Sequence, residues 1–221
     1  MDKEKLNKFS VPLGLLDYVN PILYTITMIT IISYNYSLME TPCNIIFLIG
    51  AIISIFFGFI IPTGKVIVGL GIIKFRMPVS LVFCVNSGIL LSGLMLLKYI
   101  MNMSLSMLII IVAFIITTLI FMYMKSKKIN TIAVLTGAFG YLLIYISLIT
   151  FSIKNNMIIP IILCAMAILL FIMLCGIGIK ADLKKPKIHW VIEISNVICQ
   201  FLVAIATIIL FTNWMEMHTR V

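Results

Sequence analysis

The chain has 221 residues, 63% of them hydrophobic and 10% charged, with a mean hydropathy of +1.25 and a formal net charge of +9. A water-soluble domain of this size needs far more surface charge, so the composition excludes a soluble fold and points to the bilayer. The basic excess does not read as a nucleic-acid footprint, because it is concentrated before the first apolar segment and in alternate loops between the others.

A membrane-spanning helix needs roughly 20 predominantly apolar residues. Seven stretches qualify in chain order: residues 11–34, 44–61, 79–100, 104–124, 131–153, 157–179 and 190–211. They are continuously apolar and too long for the alternating ten-residue strands of a barrel, so helices are expected. Together with their short connections they use nearly the whole chain. The expectation is an all-α integral membrane protein, a seven-helix bundle forming one membrane domain over residues 1–221. The first stretch is too long for a signal-peptide core, contains Asp17, Asn20 and Pro21, and lacks a small-residue cleavage site, so it is read as a helix.

Thirteen of the 16 basic residues precede the first segment or lie between segments 2 and 3, 4 and 5, and 6 and 7; the exceptions are Lys98, Lys154 and Arg220. The positive-inside rule then puts the N-terminus in the cytoplasm and the C-terminus outside, as an odd number of crossings requires. The lysines and arginines would meet anionic lipid headgroups. Richness in Ile, Asn and Lys suggests an AT-rich bacterial genome and a plasma membrane location.

Residues 62–78, PTGKVIVGLGIIKFRMP, are apolar apart from Lys65, Lys74 and Arg76 and contain Gly64, Gly69 and Gly71. They are read as a cytoplasmic loop, either interfacial or re-entrant. The loop at 180–189 is held cytoplasmic by its lysines, and Pro186 blocks helix continuation. Trp190 and Trp214 bracket the last segment as interfacial anchors.

The segments fit a three-plus-one-plus-three plan, with the fourth as linker between two parallel units. Parallel repeats occur in small transporters, the sugar-permeating SWEET proteins among them, whose usual orientation is the reverse of the one the basic residues indicate for this chain.

Ionisable groups in hydrocarbon cost at least about 2.5–3.5 kcal/mol at mid-helix, so they turn toward a bundle interior or water. Two carboxylates fall inside the spans, Asp17 in the first and Glu193 in the last. Glu193, Asn196, Gln200 and Thr207 recur at helical spacing along one face, as do Asp17, Asn20, Tyr24 and Thr27. The third segment adds Asn86 and Ser87. At about 1.5 Å per residue, Asp17 and Glu193 lie at similar depths in the cytoplasmic half. Asp17, Asn20, Asn86, Ser87, Glu193, Asn196 and Gln200 are therefore the expected lining of an inward-facing pocket for a polar solute or ion, with Arg76 and His189 as charge partners at its mouth.

The leading reading is a small permease or carrier, for a polar solute or with a proton carried on Asp17 or Glu193. A second is a membrane sensor or non-catalytic subunit, docking a protein partner on its cytoplasmic face. A third is an intramembrane lipid-modifying enzyme, for which only the His189/Glu193 pair offers acid–base chemistry. No catalytic motif, cofactor signature or metal-ligand spacing is present: the five cysteines show no paired spacing, and the two histidines lie at opposite faces. Carboxylates near a membrane boundary also reach headgroup water, and buried Asn, Ser and Thr commonly just join helices.

Overall fold

The computed structural model describes residues 10–72, 78–126, 129–180 and 186–219, with side chains described except at 125, 126, 130, 175–180, 186, 187 and 216–219. Among the described residues the chain is wholly helical between turns, with eight helices: α1 (Val11–Asp17), α2 (Val19–Asn35), α3 (Cys43–Gly69), α4 (Val79–Met101), α5 (Leu105–Ser126), α6 (Ile129–Lys154), α7 (Ile158–Lys180) and α8 (Pro186–Thr219). Taken together, α1 and α2 make the first expected segment. Six stretches of the described residues are long and apolar enough to cross a membrane: Val11–Asn35, Cys43–Gly69, Val79–Met101, Leu105–Met124, Thr131–Lys154 and Ile188–Met215. The seventh expected crossing, α7, is apolar over Ile158–Leu174. The architecture is that of a multi-pass helical membrane protein.

The break between α1 and α2 has a local cause. Pro21 carries no N–H, so the carbonyl of Asp17, four residues earlier, loses its helical partner. Tyr18 keeps helical angles, with φ −64° and ψ −25°, and its amide reaches back to the Leu15 carbonyl at 3.2 Å. The chain therefore continues in nearly the same direction with one turn interrupted.

Proline acts differently in α3, where the structure departs from the sequence reading. Residues 62–69 belong to the helix, which runs through the buried Pro62 to Gly69. Only the Gly58 carbonyl forfeits an amide partner. Leaving the helix inside lipid would strand several backbone groups, each at a cost of kilocalories, so the helix persists. Gly71, with φ +73°, ends it in a left-handed turn. Residues 73–77, including Arg76, lie outside the described set.

The packing order follows the chain. The α1–α2 segment contacts α3, α3 contacts α4, α4 packs along α6, α6 contacts α7, α7 contacts α8, and α8 returns to α1 and α2. This closes a ring of six helices, and α5 lies outside it against α6 with Phe114, Phe121 and Met124 exposed. Contacts Asn86–Ala133 and Lys154–Ile100 show that α4 and α6 run in the same direction. Contacts Asn20–Glu193 and Tyr34–Phe211 show the same for α2 and α8.

Two close approaches fix α4 in place. A Cβ on Gly88 would lie 2.6 Å from the Gly50 carbonyl of α3, and one on Gly93 would lie 2.6 Å from the Gly140 carbonyl of α6. Without side chains at these crossings the backbones touch, which is how helices associate where lipid removes the hydrophobic drive. The ring is filled by Phe47, Met28, Ile31, Leu96, Leu148 and Phe211, all fully buried.

Two lysines that depart from the alternating charge pattern have structural work. Lys154 donates to the Ile100 carbonyl at the C-terminus of α4. Lys98 lies in the last turn of α4 and donates to Cys43 Sγ at 3.2 Å. Positive charge at a helix C-terminus complements the macrodipole. The turns after α4 and α6 each place an asparagine, Asn102 (φ 49°) and Asn156 (φ 55°), in the left-handed region.

Candidate functional site

Many polar stripes in the sequence turn out to be satisfied within their own helices. Thr27, Thr136, Ser147, Ser152 and Thr207 are buried, and each hydroxyl donates to the carbonyl four residues earlier. Such side chains present little unmet polarity to a ligand.

One group is different. Near the end of the bundle that bears the N-terminus, Asp17 at the end of α1, Asn20 in α2, Lys65 in α3 and Glu193 in α8 converge. The Lys65 ammonium lies 2.7 Å from Asp17 Oδ2 and 2.8 Å from Glu193 Oε1. Asn20 Nδ2 donates to Asp17 Oδ1 at 3.2 Å and to Glu193 Oε2 at 3.4 Å. The three ionisable side chains are only 11–14% exposed. Two donors thus bridge two carboxylates in a closed circuit. Gly14 makes this closeness attainable: a Cβ there would sit 2.8 Å from Val66 Cγ2, so α1 lies directly against the turn of α3 that carries Lys65.

The donor and acceptor count is uneven. Both hydrogens of the Asn20 amide point at carboxylates, which accept only, and this fixes the orientation of the amide. Asn20 Oδ1 is then buried with no hydrogen-bond partner. The Asp17 carbonyl, four residues before Pro21, also lacks its helical amide partner.

Deeper in the bundle a tyrosine group fills the centre. Ser54 Oγ donates to Tyr24 Oη at 3.0 Å. Tyr24 meets Tyr141 edge-on, with centroids 6.1 Å apart, and Tyr141 lies beside Tyr145 at 6.0 Å. Gln200 reaches the Tyr141 hydroxyl. Tyr145 Oη and Cys199 Sγ are 3.5 Å apart.

Of the residues expected to share a pocket, Asp17, Asn20 and Glu193 meet. Asn86 does not join them. Its amide donates to the Ala133 carbonyl of α6 at 2.7 Å, and its side chain occupies the space a Cβ on Gly137 would need. It serves the α4–α6 seam. Gln200 is buried and belongs to the tyrosine group, while Ser87 and Asn196 are half-buried. His189, one turn before Glu193 on α8, is half-buried and engaged. Arg76 lies outside the described residues.

Lys65 was missed as a site residue because Pro62, Gly64 and Gly69 read as loop signals. The signal that could have found it is a lone cation in an apolar run, alongside two intramembrane carboxylates that need a counter-charge.

Among the described residues no three His, Cys, Asp or Glu side chains come together as a metal site. A groove along α3 formed by Ile52, Phe56, Phe59 and Thr63 is mostly apolar and suits lipid chains rather than a polar solute. No family model, no curated protein and no solved structure matches the chain.

Proposed function

We propose that the protein is a seven-span membrane carrier for a polar solute or ion, with its N-terminus in the cytoplasm and the Asp17–Lys65–Glu193 cluster as its binding or coupling centre. The observation that carries this reading is the meeting of three ionisable side chains, from α1, α3 and α8, inside apolar spans. Charges there are costly, and replacing a buried pair with apolar residues is often neutral or stabilising, so stability alone is a poor reason for three of them. The interrupted α1–α2 helix beside the cluster adds support, since discontinuous helices commonly form transporter sites. The ring order supports two parallel three-helix units, α1–α4 and α6–α8, with α5 as the linker. In that arrangement Asp17, Asn20 and Lys65 belong to the first unit and Glu193 to the second.

The test is uptake in liposomes reconstituted with purified protein, across a panel of solutes and ions and with an imposed pH gradient. Wild type is expected to move at least one of them. Asp17→Asn and Glu193→Gln should abolish uptake while eluting as folded, monodisperse protein. Absence of uptake over a broad panel would refute an autonomous carrier and favour a partner-dependent membrane subunit.

A further inference from the structure

From the oxygen-rich surroundings of Lys65 we infer that the ligand of this centre is a monovalent cation, which takes the place of the Lys65 ammonium between Asp17 and Glu193. The inference rests on the proposed carrier role and names its substrate class.

The geometry already contains a cation in position. The Lys65 ammonium is a compact charge on a flexible four-carbon stem, and it contacts one oxygen of each carboxylate at 2.7 and 2.8 Å. A tethered ammonium that can swing aside vacates a space of its own radius, rimmed by oxygens. Those oxygens are Asp17 Oδ2 and Glu193 Oε1, and two further acceptors belong to residues of the same cluster. The first is Asn20 Oδ1, buried and without a partner. The second is the Asp17 carbonyl, which has no helical partner because residue 21 is proline. Oxygen ligands of this kind suit hard cations, and the one in place is a monovalent ammonium. An anion would face two carboxylates, and a transition metal would want a fuller set of His, Cys, Asp or Glu ligands, no three of which come together among the described residues.

A monovalent ion matches the charge that Lys65 already supplies to the centre. Two carboxylates and one ammonium already coexist in the cluster, so exchanging the ammonium for a monovalent cation leaves its net charge unchanged. A divalent ion would add one further positive charge. Lys65 thereby acts as a built-in competitor: it keeps the carboxylates paired when no ligand is bound and sets how tightly a ligand must bind to displace it.

The experiment is equilibrium binding of radiolabelled sodium, rubidium and methylammonium to the purified full-length protein in choline buffer. Wild type should bind at least one of the three saturably. Lys65→Gln, which removes the competing charge, should bind that cation at least tenfold more tightly. Asp17→Asn and Glu193→Gln should each weaken binding by tenfold or more. Saturable binding of sodium and rubidium alone identifies a metal-ion site, and binding of methylammonium alone identifies an organic-ammonium site; either supports the inference. No saturable binding, or weaker binding by Lys65→Gln, overturns it. If Lys65→Gln does not fold in choline, preparation in rubidium, sodium or methylammonium chloride must restore a monodisperse peak, and failure in all three also overturns it. Cation binding without flux in liposomes would sink the carrier reading and uphold this one. Solute flux without cation binding would do the reverse.

Discussion

Replacing Lys65 with methionine isolates the energetics of the buried cluster. The ammonium makes contacts of 2.7 and 2.8 Å to two carboxylates that are 11–12% exposed. At an effective dielectric of about 20, each contact corresponds to roughly 6 kcal/mol of Coulomb attraction. Desolvation and the repulsion between the carboxylates offset much of this. What remains when one partner of a buried ion pair is removed is a loss of about 3–5 kcal/mol, because the other charges stay behind. Lys65→Met in choline buffer should therefore lose about 3–5 kcal/mol. The triple variant Lys65→Met, Asp17→Asn, Glu193→Gln, which leaves no charge behind, should lose less than the single one. Reversible unfolding in mixed micelles with rising dodecyl sulfate, followed by the fluorescence of Trp190 and Trp214 on α8, measures both. A single variant within about 1 kcal/mol of wild type, or a triple variant less stable than the single, would refute the account.

Gly140→Ala should cost about 1–3 kcal/mol or more, since the added methyl would lie 2.6 Å from the Leu90 amide nitrogen, whereas Gly58→Ala, which meets only Pro21 Cβ at 3.5 Å, should be near neutral; thermal midpoints of the two compare them directly. Asn102→Ala should lower stability by about 1 kcal/mol and Asn102→Gly should not, because φ is 49° there; the same unfolding assay reads both. In a cysteine-free background, single cysteines at Asn102 and Asn156 should react with an impermeant maleimide from outside intact cells and a cysteine at Asn130 should not; the opposite labelling would reverse the proposed orientation. Gly14→Val should press α1 away from Val66 and part Asp17 from Lys65, reducing liposome uptake more than Tyr24→Phe, which removes only the hydroxyl that Ser54 contacts.

Six of the seven expected crossing segments were legible because lipid imposes one strong requirement, continuous apolarity, that each of those stretches displays in its own residues. Asp17, Asn20 and Glu193 were legible as a group because depth along a helix follows from residue count. Their counter-ion was not. In water, Pro62 and the following glycines would argue for a loop, but inside a membrane the same residues stay helical and carry Lys65 into the bundle. Asn86 failed for another reason. Its depth was plain, but which helix it would face depends on the order of packing around the ring, and that order is set by the fit of Gly88, Gly93 and Gly140 rather than by any periodicity.

The two places where neighbouring helices run in the same direction are unequal. Along α4 and α6 the backbones touch at Gly93 and Gly140, and Asn86 and Lys154 tie the two helices near either end. Along α2 and α8 the joint has the Tyr34–Phe211 stack at one end and, at the other, a 3.4 Å hydrogen bond from Asn20 to Glu193. A molecule built this way has a spine and a fore-edge. Parting its halves at the spine means tearing glycine backbones from each other, whereas parting them at the fore-edge means separating side chains: Tyr34 from Phe211, Tyr24 from Tyr141, and Glu193 from Asn20 and Lys65. Neutralising Glu193 would loosen the charged end of that fore-edge and leave its aromatic end stacked, while the spine stayed as it is.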